Sequence, residues 1–271
     1  MRGSTPAPGL GFVRYGGHTS SVALAHDGAT PSLVIDAGTG LRRVTNLLGD
    51  APFEGTILLS HLHWDHVHGL PFFTGGARDG HRVDVLLPAV DDDPVGTLGR
   101  GLSPPHFPVG PTELGAGWTF TSLEEGRQQR EGFDVEVREI PHKGGRTFGF
   151  RVTDGTGTIA YLSDHQPLAA GPGPDGLGEY HDAALALARG VDVLVHDAQF
   201  LAAQFPDVAY LGHAAIEYAV GLAVEAGARA LLLFHHAPDR TDDELDEIVA
   251  AFADAPVSVM AAIEGNVVQL G

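Results

Sequence analysis

The chain contains no cysteine, which excludes disulfides and thiolate ligands and by itself fixes no redox compartment. Lysine is nearly as scarce: Lys143 is the only one, and 16 basic residues stand against 35 acidic ones for a net charge of −19. A field of that sign repels a long polyanion, because nucleic-acid binding depends on neutralising phosphates. Small substrates are therefore the expected partners, and long nucleic acid is disfavoured. The acidity also has a plain reading as solubility or proteome bias. No uninterrupted apolar run approaches 18 residues, so no membrane-spanning helix is expected. The opening Met1-Arg2-Gly3-Ser4-Thr5-Pro6 lacks the apolar core of a secretory signal, which makes the cytoplasm the expected location. What remains is globular material: 271 residues, 43% of them hydrophobic, enough to bury a large core as one α/β domain or two small ones.

Histidine is the residue that stands out, at 15 copies. His61, His63, Asp65 and His66 follow directly on a short apolar run. That run, 57–60, has strand length and reads as buried, and 65 onward reads as a turn into a short helix stopped at Gly69. Residues two apart in an extended segment point the same way, so His61 and His63 can share one ion. After the turn, Asp65 and His66 can face a second ion beside it. Nitrogen and oxygen donors without sulfur suit Zn²⁺ best and also admit Mn²⁺ or Fe.

Along the chain, 11–14 and 19–26 read as strands around Gly16-Gly17, and 32–36 as a third, ending in Asp36-Ala37-Gly38-Thr39-Gly40. The glycine pair is too sparse for a nucleotide loop and reads as a tight turn before a helix at 41–48, with Asp36 in a structural place beneath the metal loop. A strand at 82–88 is followed by a Gly/Pro-rich stretch, 89–117, expected to form the rim or lid of a site, with His106 on it. Strands are expected at 118–123 and 133–140, and 148–153 and 158–163 should form a hairpin. A helix at 179–189, a strand at 191–195, a helix opened by Gly212-His213, a strand at 230–234, a helix capped by Thr241 and Glu244, and strands at 257–263 and 267–270 complete the pattern. No linker or repeat divides the chain, so 1–271 reads as one domain.

Several strand ends carry ligand-type residues: His142, Ser163-Asp164, Val195-His196-Asp197-Ala198 and Leu233-Phe234-His235-His236, with Gly212-His213 at a helix start. Together with the first motif they resemble the metallo-β-lactamase superfamily over essentially the whole chain. In that order they look like the phosphodiesterase branch that includes ribonuclease Z and cyclic-phosphate phosphodiesterases. The resemblance implies an α/β fold, a four-layer αββα sandwich, and the order of strands and helices fits it. It also implies that His61, His63 and His142 hold one metal, that Asp65, His66 and His235 hold the other, and that Asp164 bridges them. Asp65 and His213 are then the catalytic candidates.

Two cations roughly 3.5–4 Å apart acidify a bound water near neutral pH and clamp the attacking and leaving oxygens of a displacement. The charge that builds on a phosphodiester is stabilised between them. The family likeness makes His213 the general acid, a task suited to an imidazole with pKa near 6.5, and Asp197 can orient it. His236 competes with His235 as a ligand and is assigned a supporting or surface place, as are His18, His68, His165, His181 and His196. Lys143 and Arg146 can attract phosphate or serve in ordinary loop salt bridges. The Gly- and Lys/Arg-rich arm with which ribonuclease Z grips transfer RNA has no counterpart here, which argues against tRNA processing. The expected function is a dinuclear hydrolase of a small, open or cyclic phosphodiester. A carboxyl-ester or lactone hydrolase on the same metals and a non-catalytic metal-binding sensor or biosynthetic partner are the alternatives, and a homodimer is left open.

Overall fold

A computed structural model describes residues 1–270. The described chain divides into two compact units, Thr19–Glu124 with Arg130–Gly132, and Met1–His18 with Glu125–Gln129 and Phe133 onward. Among the described residues no helix is long and apolar enough to cross a membrane.

The first unit holds a five-stranded sheet in sequence order: β1 (Val22–Leu24), β2 (Leu33–Ile35), β3 (Glu54–Leu58), β4 (Arg82–Leu87) and β5 (Trp118–Ser122). β1 and β2 are antiparallel, and every later pair is parallel. Strands buried on both faces read as continuous apolar runs, and the fully buried Leu33, Val34, Ile35, Ile57 and Leu58 have that character. Helix α1 (Leu41–Leu47) turns Leu41, Val44 and the following Leu48 into the same core as Ile57, Leu59, Val83 and Val85. Each such side chain contributes about 1.5–3 kcal/mol when taken fully out of water. Helix α2 (Trp64–Val67) carries Asp65 and His66 of the histidine motif, and His61 and His63 precede it.

The expected strand at 19–26 shrinks to β1 because the backbone of Thr19 and Ser20 is used elsewhere: Gly38 N–H donates to the Ser20 carbonyl and Gly40 N–H to that of Thr19. The 89–117 stretch is not structureless. It contains α3 (Pro94–Gly99), whose first turn is capped by Asp93 accepting from Gly96 N–H at 2.8 Å, and Leu98 and Leu102 enter the core.

The second unit holds a seven-stranded sheet ordered β12-β11-β10-β9-β8-β7-β6. Its strands are β6 (Gly126–Arg130), β7 (Phe133–Glu139), β8 (Phe148–Thr153), β9 (Thr158–Leu162), β10 (Val193–Asp197), β11 (Ala230–Phe234) and β12 (Ser258–Ala261). β7, β8 and β9 run antiparallel to their neighbours in turn, and β9 through β12 are parallel. Helices α4 (Asp182–Ala188) and α6 (Ile216–Ala226) bury Ala184, Leu187, Ile216, Ala219, Leu222 and Ala223 in one cluster with Leu194, Leu231 and Leu233. The many alanines let the helix backbones approach the sheet closely. A short α5 (Phe205–Val208) lies between β10 and α6, and α7 (Asp242–Ala251) has the expected capping box, with Thr241 N–H donating to Glu244 Oε2 at 2.7 Å.

Other expectations change as well. Residues 11–14 do not form a strand: positive φ at Gly9 (132°) and Gly16 (91°) reverses the chain around a 3₁₀ turn, Leu10–Phe12. Residues 267–270 form no strand, and Val267 stays 78% exposed, so its apolar side chain has no buried face to occupy. β6, Gly-Arg-Gln-Gln-Arg, was not expected, because an edge strand this polar has no apolar alternation to announce it. The two sheets with their helices have the mixed α/β character expected of the chain.

Candidate metal and proton-transfer site

In the first unit the motif is built on one buried carboxylate. Asp36 follows β2 and is 0% exposed. Its Oδ1 accepts from Ser60 N–H at 2.7 Å, and its Oδ2 accepts from Ser60 Oγ at 2.8 Å and from His66 Nδ1 at 2.7 Å. With the Ser60 proton given to Asp36, the hydroxyl oxygen accepts from His61 Nδ1 at 3.0 Å. Both rings thus carry their proton on Nδ1, which leaves Nε2 as the lone-pair nitrogen. His66 Nε2 lies 3.3 Å from Asp65 Oδ2, and the His61 ring centroid lies 4.4 Å from that of His63 and 4.2 Å from that of His66. The four expected residues of this motif therefore converge. Gly38 explains the tight turn: a Cβ there would run into the backbone carbonyl of Asp65. Trp64, 69% exposed, stacks on His68 at 5.6 Å on the outer side of α2.

In the second unit the parallel strands place their residues at one edge. The register sets Leu162 of β9 beside His196 of β10, and Asp197 beside Phe234 of β11, so Asp164, Asp197 and His235 emerge at the carboxyl ends of adjacent strands. Ligand sites in parallel sheets favour that edge. Asp164 Oδ2 lies 3.4 Å from His142 Nε2, and Asp164 Oδ1 lies 3.1 Å from His235 Nε2. His142 Nδ1 donates to the Gly212 carbonyl at 2.7 Å, so its Nε2 also keeps the lone pair. Gly212 (φ 91°) is required here, because a Cβ would meet Lys143 Cβ at 2.7 Å.

His213 Nδ1 donates to Asp197 Oδ2 at 2.9 Å, its ring stacks on His235 with centroids 4.8 Å apart, and it lies tilted beside His142 at 5.1 Å. Burial opposes ionisation of Asp197, but the charge and hydrogen bond of His213, with His235 behind it, hold its carboxyl below the ordinary range. Asp197, His213 and His235 bring donor atoms within 4.8 Å of one another. Asp36, Asp164 and His235 all adopt left-handed backbone, with φ of 61°, 49° and 53°. Such conformations cost about 1–3 kcal/mol for non-glycine residues and cluster at functional sites.

The donor set fits a divalent metal: imidazole nitrogens and carboxylate oxygens without sulfur, with the Nδ1 protons of His61, His66 and His142 tied to protein acceptors. Residue types able to bind a divalent ion are thus present in both units. The remaining histidines divide. His165 and His196 are buried beside Asp197, and His236 is fully buried with Tyr15 edge-on at 6.5 Å; burial, with the nearby cationic groups, lowers the His236 pKa well below the ordinary value. His18 is half-buried 3.9 Å from Glu264, and His106 is exposed. Arg146 Nε pairs with Glu139 at 3.0 Å, an ordinary loop salt bridge, whereas Lys143 Nζ donates to the neutral Tyr210 carbonyl at 3.1 Å. The roles of Ser60 and of the Gly212 carbonyl were not legible, because a serine and a peptide group carry no distinguishing sequence signal.

Comparisons with known proteins agree with this chemistry. Residues 32–236 match the family described as the Beta-lactamase superfamily domain. Ribonuclease Z of Exiguobacterium sibiricum is 26% identical over 230 residues, 70% of this chain and 73% of that protein. Ribonuclease BN of Escherichia coli is 33% identical over 155 residues, 56% of this chain and 41% of that protein. Among solved structures, the metallo-beta-lactamase fold protein YhfI from Bacillus subtilis superposes with a TM-score of 0.71 at 20% identity, covering 99% of this chain and 96% of that one. The chain therefore belongs to the beta-lactamase superfamily and has its metallo-β-lactamase fold, with the residue types of a metal-dependent hydrolase.

Proposed function

We propose that the chain, acting as one domain, is a dinuclear metal-dependent phosphodiesterase for a small open or cyclic phosphodiester. His61, His63 and His142 would hold one divalent ion and Asp65, His66 and His235 the other, with Asp164 shared between them. Zn²⁺ suits these donors best. The ions, when bound, would supply Lewis acidity and neutralise the charge of the diester.

The observation that carries the reading is the orientation of the rings: His61, His66 and His142 each give Nδ1–H to a protein acceptor, so all three offer Nε2. His213 has the same orientation, with the Asp197 carboxylate behind it as Asp36 stands behind His66. An imidazolium is stabilised by that partner, so His213 can hold a proton on Nε2 and deliver it to the departing alkoxide oxygen. Asp197 keeps the ring in the correct tautomer throughout. A diester rather than a long RNA is supported by the charge of −19, even though the curated relatives above are named as ribonucleases.

The test is metal analysis of protein purified without added metal, together with hydrolysis of bis-p-nitrophenyl phosphate and of a lactone. About two metals per chain are expected in wild type. Asp164→Ala should lose both metal and activity, and His213→Ala should keep metal while kcat falls about 10²–10⁴-fold. Lactone turnover without phosphodiester turnover would replace this reading with the ester hydrolase, and an active Asp164→Ala would overturn the ligand assignment.

A further inference from the structure

Three histidines outside the proposed ligand set join in one row inside the second unit. His196 near the end of β10 and His165 just past Asp164 are both 0% exposed, and His181 at the start of α4 is half-buried. His165 Nδ1 lies 3.1 Å from His196 Nε2, and His165 Nε2 lies 2.7 Å from His181 Nδ1. At the inner end, His196 Nδ1 lies 2.8 Å from the backbone carbonyl of Asp197.

That carbonyl decides the position of every proton in the row. A carbonyl oxygen only accepts, so His196 carries its proton on Nδ1 and must accept at Nε2. His165 therefore donates from Nδ1 and accepts at Nε2, and His181 donates from Nδ1. The result is three neutral rings, all in the same tautomer. Burial lowers the pKa values of His196 and His181. With the row so arranged, a second proton on His165 or His196 would set two donors against each other.

The row ends at the carboxylate behind His213. His165 N–H donates to Asp197 Oδ2 at 3.1 Å, the same oxygen that accepts from His213 Nδ1 at 2.9 Å and Ala214 N–H at 3.3 Å, while Gln199 N–H reaches Oδ1 at 3.1 Å. Tyr218 packs against both buried rings, 5.7 Å from His165 and 5.9 Å from His196, and gives its own hydroxyl proton to the Glu179 carbonyl at 3.1 Å. We propose that His181, His165 and His196 are positioning residues: locked as Nδ1–H tautomers, they hold the His165 amide on Asp197 and thereby fix the direction in which His213 presents Nε2. The kinetic part rests on His213 being the proton donor, whereas the tautomer assignment stands without it.

The test uses the full-length, zinc-loaded protein, histidine-ring ¹⁵N NMR near pH 7, and bis-p-nitrophenyl phosphate kinetics on wild type, His181→Ala and His181→Asn. His181 is half-buried, so neither change opens a core cavity. An asparagine amide stands as far from the backbone as Nδ1 and can donate, whereas alanine cannot. Wild type should show Nδ1–H rings at His165, His181 and His196. In His181→Ala, kcat should fall about five-fold, as loss of one positioning hydrogen bond implies, with KM and zinc content unchanged. The proton shared by His213 and Asp197 should also exchange faster, and His181→Asn should restore both readouts. An Nε2–H ring or an imidazolium at His165 or His196, an alanine variant indistinguishable from wild type, or an asparagine variant no better than alanine would each overturn the proposal. If wild type hydrolyses no phosphodiester, only the function proposed above fails, because the tautomers and the His213 proton still decide the row.

Discussion

Asp36 shows how much a single buried carboxylate can organise. It accepts three hydrogen bonds, and through them it sets the tautomer and angle of His66 directly and of His61 by way of Ser60. Partners of this kind behind metal-binding histidines are worth about 10–100-fold in metal affinity. Asp36→Asn tests the point cleanly, because asparagine keeps the volume and tolerates the left-handed backbone at φ 61°. Zinc affinity measured by chelator competition should fall by about that factor; an unchanged affinity would mean that Asp36 serves the turn alone. The sequence marked Asp36 as structural and stopped there, since its hydroxyl partner Ser60 and the ring of His66 lie 24 and 30 residues away. At this scale residue types are legible, but hydrogen-bond directions are not.

Elements were legible in proportion to their periodicity. α1, β4, β5, β8, β9, β11 and α7 fall at or within about two residues of their expected bounds, because each combines an apolar face with a cap, a glycine stop or a turn. Where apolar character and structure part company, the reading fails. Residues 267–270 are apolar without a ladder to join, β6 is a strand without apolar character, and α3 hides in a stretch whose glycines and prolines suggested only loop.

The β8–β9 hairpin carries its own pH dependence. Asp154 Oδ1 accepts from Thr156 N–H at 2.9 Å, Gly157 N–H at 3.0 Å and Thr156 Oγ1 at 2.7 Å. Those bonds, the one from Gly157 foremost, lower its pKa to about 2 from an ordinary 3.8. A carboxylate depressed in the folded state stabilises above its unfolded pKa and loses that contribution as pH falls through the folded one. The melting temperature of wild type should therefore exceed that of Asp154→Ala at pH 6, and the gap should close between about pH 4 and pH 2. A gap that stays constant over that range would show that the turn is held by its backbone alone.

For the whole molecule, the charge of −19 was the most informative number in the sequence and belongs to no element. It predicts that a transfer RNA at physiological ionic strength, near 0.15 M, will not be retarded in a gel by micromolar protein, even though relatives carry ribonuclease names. Retardation that weakens with added salt would reveal a basic face. The fold class was legible because β9 through β12 in the second unit alternate with helices in the order that a parallel sheet with crossovers needs. Asp197 ends, and Asp164 and His235 follow, a strand held in register on both sides, and what joins them is loop and helix. In evolutionary terms the proposed reacting groups and the groups that choose a substrate are separately heritable: segments between strands can lengthen, shorten or be exchanged while the strand ends stay in place. A lineage built on this chain could change what it cleaves without relearning how to cleave.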